Sequence, residues 1–90
     1  MARYSVRIRR SAAQELKAVP LKDRKRIVTR IEGLQTEPRP PGCERLSGEK
    51  KYRLRQGDYR ILYEIIDLEL IVTVVKIGNR RAPAQQAFRK

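Results

Sequence analysis

Arginine and lysine side chains dominate the segments of this sequence that could do chemistry. Seven of these cations lie within or just after stretches typical of β-strands: Lys51, Arg53, Arg55, Arg60, Lys76, Arg80 and Arg81. Guanidinium groups bind phosphate oxygens in a bidentate manner and stabilise the charge that develops during phosphoryl transfer. The residue types therefore indicate a site for phosphate chemistry.

The residues that are missing exclude several other kinds of site. The 90 residues include no His and one Cys, so a serine triad, a Cys–His pair and the common His-containing zinc sites cannot be formed. Cys43 alone can form neither an internal disulfide nor a thiolate metal cluster, and we interpret it as an inert thiol. Any catalysis must then use Arg, Lys, Tyr or carboxylates, and we expect no metal and no cofactor.

Length and charge set the class of protein and the kind of partner. Ninety residues predict a single domain, residues 1–90. Lys and Arg number 22 against 10 Asp and Glu, which gives a formal net charge of +12 that attracts polyanions. No apolar run is long enough for a membrane span or a secretory signal. We therefore expect a cytoplasmic protein with no membrane partner.

Hydrophobic periodicity in the first half predicts one strand and two helices. Apolar and polar residues alternate over residues 4–8, which is typical of a half-buried strand. Ser11 and Gln14 have the spacing of a capping box at the start of a short helix, which Pro20 ends. A second helix is predicted over residues 21–34. The basic residues in its first turns form either a solvated face or a surface for a partner.

The second half has the pattern of three strands with short connections. We predict strands over residues 50–55, 59–66 and 70–77, of which the last is the most apolar and should lie near the middle of the sheet. The two connections are of hairpin length, so these strands should be antiparallel. Two helices beside a mostly antiparallel sheet form an α+β fold. The pairing of the first strand stays open.

Alternation along the strands predicts one basic face of the sheet. Because the helices can cover only one face, the other should carry the following cations: Lys51, Arg53, Arg55, Arg60 and Lys76, with Arg80 and Arg81 just beyond the strand end. The alternation of residues 70–77 also places Lys76 in phase with Val72 and Val74. Arg60, inside an apolar strand, should need an anionic partner. That partner is either a phosphate or Glu64 or Asp58, unless the side chain snorkels into solvent.

Two sequence blocks resemble the RelE/ParE superfamily of toxin–antitoxin toxins: YRLRQGDYRILYEI at residues 52–65 and VVKIGNRR at residues 74–81. The resemblance covers roughly residues 3–82. It implies a β-α-α-β-β-β order, with a helical hairpin packed on one face of a small, mostly antiparallel sheet. It also implies a toxin of a type II system, associated with plasmid stabilisation and neutralised by a cognate antitoxin. For the RelE branch it implies an mRNA endonuclease that acts on the ribosome through attack of a ribose 2′-hydroxyl on the adjacent phosphate.

The resemblance also assigns roles to individual residues. Arg60 matches an arginine that stabilises the transferring phosphate, and Arg80 matches one implicated in stabilising the transition state or leaving group. Arg53 takes the place where the RelE type has a lysine as candidate general base, so we expect it to be catalytic. The expected RNA-binding residues are Lys51, Arg55, Lys76, Arg81 and Phe88.

Two departures from the family pattern leave alternatives open. Arg53 does not give up its proton readily at neutral pH, unlike a lysine with a depressed pKa. The family's C-terminal tyrosine has no counterpart here, and Phe88, the only aromatic residue nearby, could stack on a base without supplying a hydroxyl. The chain is accordingly interpreted as a metal-independent endoribonuclease, as a ParE-like poison of DNA gyrase, or as a relative that only binds RNA or an antitoxin.

Overall fold

Two helices and five strands make up the described part of the chain. The structure, a computed structural model, describes residues 3–46 and 50–79. Its elements are β1 (Ser5–Ile8), α1 (Arg10–Lys17), α2 (Leu21–Gly33), β2 (Glu44–Arg45), β3 (Lys51–Gln56), β4 (Tyr59–Ile66), a 3₁₀ turn (Asp67–Glu69) and β5 (Ile71–Asn79). The predicted α+β fold is confirmed. Neither helix is long and apolar enough to cross a membrane, within those residues.

The strands form one sheet in the order β1-β5-β4-β3-β2. β5 runs antiparallel to β4 and parallel to β1, so it is an inner strand, as its apolar sequence predicts. Val72 and Val74 on β5 have no exposed surface. The pairing of β1, which the sequence left open, is fixed by the Ser5 N–H donating to the Leu70 carbonyl at 2.8 Å and the Arg9 N–H donating to the Val74 carbonyl at 3.0 Å.

The helices pack on one face of this sheet and bury its apolar side chains. The fully buried helix residues include Ala12 and Ile27, and they pack in one cluster with Leu54, Ile61 and Tyr63 of the sheet. Each of the buried Ile and Leu side chains contributes about 1.5–3 kcal/mol when it is removed from water. In the part of the chain that the structure describes, no helix covers the opposite face, so that face can carry charge.

The start of α1 differs from the predicted capping box. The residue that precedes the helix is Arg9, whose carbonyl accepts from the Ala13 N–H at 2.8 Å, and no side chain caps this end. Ser11 therefore lies inside the helix and cannot cap it, because the chain enters the helix directly after its last hydrogen bond to β5. At the other end, the guanidinium of Arg24 donates to the carbonyls of Lys17 and Val19 at 3.2 Å.

A β-bulge in β5 overturns the predicted phase of Lys76 with Val72 and Val74, and Lys76 instead pairs with Leu62, which shares the face of Arg60. The register passes from Tyr63 opposite Val74 to Leu62 opposite Lys76, so one additional residue of β5 lies between them. Strict alternation would keep Lys76 in phase with the buried Val74. The bulge reverses the alternation, so that Ile77 is buried and Lys76 is exposed.

A polar and aromatic cluster fixes the proline-rich loop after α2 to the sheet. Arg39 donates to both carboxylate oxygens of Asp67, at 3.2 and 2.9 Å, and to the Tyr52 hydroxyl at 3.1 Å. The Tyr4 hydroxyl donates to the same carboxylate at 2.6 Å. Tyr63 stacks on Tyr52 and donates to the carbonyl of Pro38, which lies in the loop, at 2.8 Å. Burial raises the pKa of the Tyr63 hydroxyl, which stays a donor at physiological pH.

Candidate phosphate-binding site

Four arginines from three elements line one concave surface of about 310 Å³. Arg53 and Arg55 come from β3, Arg60 from β4 and Arg30 from α2, and Glu44 supplies the carboxylate of this lining. The three strand arginines share a face because they alternate with buried residues of β3 and β4. The predicted grouping of Arg53, Arg55 and Arg60 is therefore confirmed by the geometry.

Positive charge in this concavity is poorly compensated. Arg55 lies directly opposite Arg60 in the antiparallel register, an arrangement that is destabilising for like charges. Among residues 3–46 and 50–79, no ion pair joins a carboxylate to Arg30, Arg55 or Arg60. A bound anion would relieve this repulsion and accept bidentate hydrogen bonds.

Glu64, which the sequence analysis named as a possible partner of Arg60 on the same strand, interacts with a different residue. The carboxylate of Glu64 lies 3.8 Å from the guanidinium of Arg9, and Glu64 is paired across the sheet with Lys51. In the described ranges, no ion pair joins Arg60 to Glu64 or Asp58. The side chain of Arg60 is half-buried and borders the concavity, which is the placement expected for a guanidinium that binds a phosphate.

Glu44 is a site residue that sequence reasoning missed. It lies opposite Arg53 in the register of β2 and β3, and the Arg53 Nε donates to its Oε1 at 3.1 Å. Arg53 holds the pKa of Glu44 below its usual range, so this carboxylate stays ionised. β2 has only two residues, too few to show a period of two, so no sequence signal predicted this partner.

Arg30 was missed as well, although a weak signal existed. Arg26 and Arg30 are four residues apart on α2, a spacing that places both on the same side of a helix. The strand that faces this side of α2 is determined by how α2 packs beside β3, and the sequence pattern gives no information about that packing.

The other predicted cations lie apart from the concavity or outside the described residues. The ammonium of Lys76 is 2.8 Å from Glu15 Oε2 on α1, and Glu15 Oε1 accepts from the Ile77 N–H at 2.8 Å. Lys51 does not line the concavity and is paired with Glu64. Arg80, Arg81 and Phe88 lie outside residues 3–46 and 50–79. The described part of β5 ends at Asn79, opposite Tyr59, the residue that precedes Arg60.

The arrangement suits binding and polarising a phosphate more than moving a proton. Guanidinium groups donate several hydrogen bonds and stay charged, so they stabilise charge that builds up on phosphate oxygens. Glu44 is ionised, but its lowered pKa makes it a weak base. The concavity therefore has the chemistry of an electrostatic clamp.

Comparison with known proteins agrees with this fold and identifies the family. The family described as the ParE toxin of the type II toxin–antitoxin system, parDE, matches residues 6–83. A putative RelE-like toxin protein of Escherichia coli is 30 % identical over 81 residues, which cover 87 % of this chain and 84 % of that protein.

Solved structures of two complexes contain chains of the same shape. One is the archaeal RelE–RelB complex from Pyrococcus horikoshii OT3, with a TM-score of 0.79, 26 % identity and coverage of 86 % of this chain and 94 % of that chain. The other is the toxin–antitoxin complex RelBE2 from Mycobacterium tuberculosis, with a TM-score of 0.79, 29 % identity and coverage of 89 % and 94 %. The match over residues 6–83 and the 30 % identity to a RelE-like toxin show that this chain belongs to the RelE/ParE superfamily of type II toxin–antitoxin toxins.

Proposed function

We propose that this toxin is a ribosome-dependent mRNA endonuclease that promotes attack of a ribose 2′-hydroxyl on the adjacent phosphate. The observation that carries the proposal is the convergence of Arg53, Arg55 and Arg60 on one concavity in which, among the described residues, Glu44 is the one carboxylate that offsets their charge. Such a site is complementary to the extra negative charge of a pentacoordinate phosphate and requires no metal. It supports cleavage by positioning and charge stabilisation.

The site residues have distinct roles in this proposal. Arg60 contacts the scissile phosphate, and Arg80 stabilises the charge on the leaving 5′-oxygen, a role that comes from the family resemblance. The phosphate competes with Glu44 for the guanidinium of Arg53, and Arg53 then orients the nucleophile. Arg55, Lys51, Lys76, Arg81 and Phe88 bind flanking parts of the RNA. Of these five, Arg55 lines the concavity in the described part of the chain.

A cognate antitoxin is the proposed protein partner. The relatives from Pyrococcus horikoshii and Mycobacterium tuberculosis were solved as toxin–antitoxin complexes. With a net charge of +12, this toxin should bind an antitoxin segment rich in Asp and Glu. Binding should be strongest at low ionic strength, because exposed charges are screened by salt.

Inhibition of DNA gyrase is the second candidate function. The observation that favours it is the match to the ParE family over residues 6–83. The arginine at position 53 also departs from the lysine of the RelE type. In this alternative the toxin binds gyrase and cuts no RNA itself.

One induction experiment separates these functions. Cells that express the toxin from a repressed promoter are assayed in parallel for amino-acid incorporation, thymidine incorporation and mRNA ends on ribosomes. The proposal predicts an early arrest of translation with new mRNA ends, while replication continues at first. A DNA-damage response with intact mRNA would assign the gyrase function instead. Normal growth with intact mRNA and DNA would leave only binding of RNA or an antitoxin.

A further inference from the structure

We propose that Arg30 and the side of α2 that carries it form a second phosphate subsite, which extends the RNA path beyond the sheet. The inference rests on the proposed function for the identity of the ligand, a single RNA strand. The geometric argument for the subsite comes from α2, an element that has no role in the proposed cleavage chemistry.

Arg30 borders two neighbouring concavities. It lines the 310 Å³ concavity together with Arg53, Arg55 and Arg60. It also lines a second, shallower one of about 300 Å³ whose other residues are Lys25, Arg26, Thr29 and Gln56. Gln56 ends β3, so the second concavity lies where α2 passes that end of the sheet. An RNA strand that has one phosphate at Arg60 can therefore continue past Arg30 onto α2.

The guanidinium of Arg30 has an unused donor. Its Nε is buried and has no hydrogen-bond partner among the described residues. A buried donor without an acceptor costs free energy, and a charged one costs more. Arg26, four residues before it on the same helix, adds repulsion at short range. Because Nε itself is buried, a phosphate would contact the accessible part of the half-buried Arg30 side chain, where it would reduce this repulsion.

The chemistry of the lining favours a nucleic acid over a protein. Within residues 3–46 and 50–79, six cations and one carboxylate line the two concavities together, and that carboxylate, Glu44, is already hydrogen-bonded to Arg53. Among the residues that the structure describes, neither lining contains an aliphatic residue such as Leu, Ile or Val, or an aromatic one. Protein partners anchor themselves by burying such side chains, whereas RNA backbones bind grooves of positive charge. Two adjacent cationic concavities that share one arginine fit successive phosphates of one strand.

Binding of RNA that cannot be cleaved tests the subsite. The full chain is titrated with a fluorescent eight-nucleotide RNA that carries 2′-O-methyl riboses, which removes the nucleophile, and with the corresponding dinucleotide. Arg30→Gln should weaken binding of the longer RNA by roughly tenfold, the expected loss for one charge-assisted hydrogen bond. It should also lower the slope of log K against log salt by about 0.7. Binding of the dinucleotide should weaken less than binding of the longer RNA, since the dinucleotide occupies the sheet concavity alone and does not reach the second one.

Matched variants separate a local contact from a general loss of charge. Arg10→Gln makes the same charge change at an exposed position on α1 and should leave both measurements close to the parent. Arg30→Lys should keep the salt slope and lose part of the affinity, because an ammonium retains the charge but not the planar donor set. If Arg30→Gln lowers the melting temperature, the exposed residues Lys25 and Arg26 are replaced by Gln instead, with the same expected slope change.

Two results would overturn the subsite. One is equal affinity and slope for the Arg30→Gln, Lys25→Gln and Arg10→Gln variants. The other is unchanged RNA binding with weakened antitoxin binding, which would assign this side of α2 to the antitoxin. Failure of the proposed function looks different, because RNA binding would then depend on Arg30 although the parent toxin cuts no mRNA on ribosomes.

Discussion

Arg55 and Arg60 lie directly opposite each other on adjacent antiparallel strands, β3 and β4. Like charges in such a pair repel, and in the described chain neither has a carboxylate in an ion pair. The fold tolerates this because the buried face of the same strands, with Ile61 and Leu54, packs against the helices. The sheet thus places both arginines on one concavity before any ligand arrives, which lowers the cost of organising the site.

Removal of the Glu44 charge should tighten RNA binding. Glu44→Gln eliminates a carboxylate that repels phosphate and occupies the guanidinium of Arg53. We expect several-fold higher affinity for the 2′-O-methyl RNA and little change in melting temperature, because exposed ion pairs contribute little to stability. Glu69→Gln, the same charge change on the exposed 3₁₀ turn, should have a smaller effect. Equal affinities for the two variants would show that Glu44 does not compete with the ligand.

Burial of a carboxylate in β5 should unfold the protein. Val74 has no exposed surface and lies on an inner strand, so Val74→Asp would cost several kcal/mol out of a total stability of about 5–15 kcal/mol. Leu68→Asp is the control, because Leu68 is 99 % exposed and should tolerate the charge. Thermal denaturation followed by circular dichroism measures both. A Val74→Asp protein that melts like the parent would contradict the position of β5 in the sheet.

The hydroxyl of Tyr63 should stabilise the proline-rich loop against the sheet. Tyr63→Phe leaves the Pro38 carbonyl without its donor, and we expect a loss of about 1–3 kcal/mol in the free energy of unfolding. Tyr59→Phe, which removes a hydroxyl from a partly buried tyrosine of the same strand, should cost less than about 0.5 kcal/mol. Urea denaturation of the two variants decides the point. Equal losses would mean that the Pro38 contact contributes nothing.

Asp67 should make stability depend on acid pH. Hydrogen bonds from Arg39 and then Tyr4 lower the pKa of Asp67 from the usual range of a carboxyl to about 2. Because the folded-state pKa is depressed, this contribution is present above the unfolded pKa and is lost as the pH falls towards 2. The melting temperatures of the parent and Asp67→Asn should therefore differ at pH 6 and converge between pH 4 and 2. A difference that stays constant over that range would contradict this linkage.

The sequence predicted the parts of the fold that periodicity encodes. Alternation identified β1 and β3, β-branched, aromatic and Leu residues identified β4, and an apolar run identified β5. The basic face of β3 followed from its alternation. Three features of the site and the sheet are determined by tertiary structure, and no local sequence pattern predicts them. The bulge that reverses the phase of Lys76 can be recognised only from the register between β5 and β4. β2 has two residues and is too short to show periodicity. Arg30 reaches the site only because α2 passes beside β3.

The start of α1 shows how tertiary contacts override a local motif. Ser11 and Gln14 fit a capping box in spacing and residue type. The N–H of Arg9, however, donates to the Val74 carbonyl of β5, and Arg9 takes the position that precedes the helix. The strand-to-helix connection is therefore shorter than the motif requires, and the helix starts before Ser11.

Mapping of mRNA ends on ribosomes for Arg60→Ala and Arg80→Ala tests the central claim most directly. Loss of one preorganised charge donor costs about 10²–10³ in rate at well-studied sites, so each variant should lose mRNA cleavage and growth inhibition. Each should still fold and still bind the antitoxin, and Arg10→Gln should cleave like the parent. Full cleavage and toxicity of the Arg60→Ala and Arg80→Ala toxins would contradict the endonuclease mechanism.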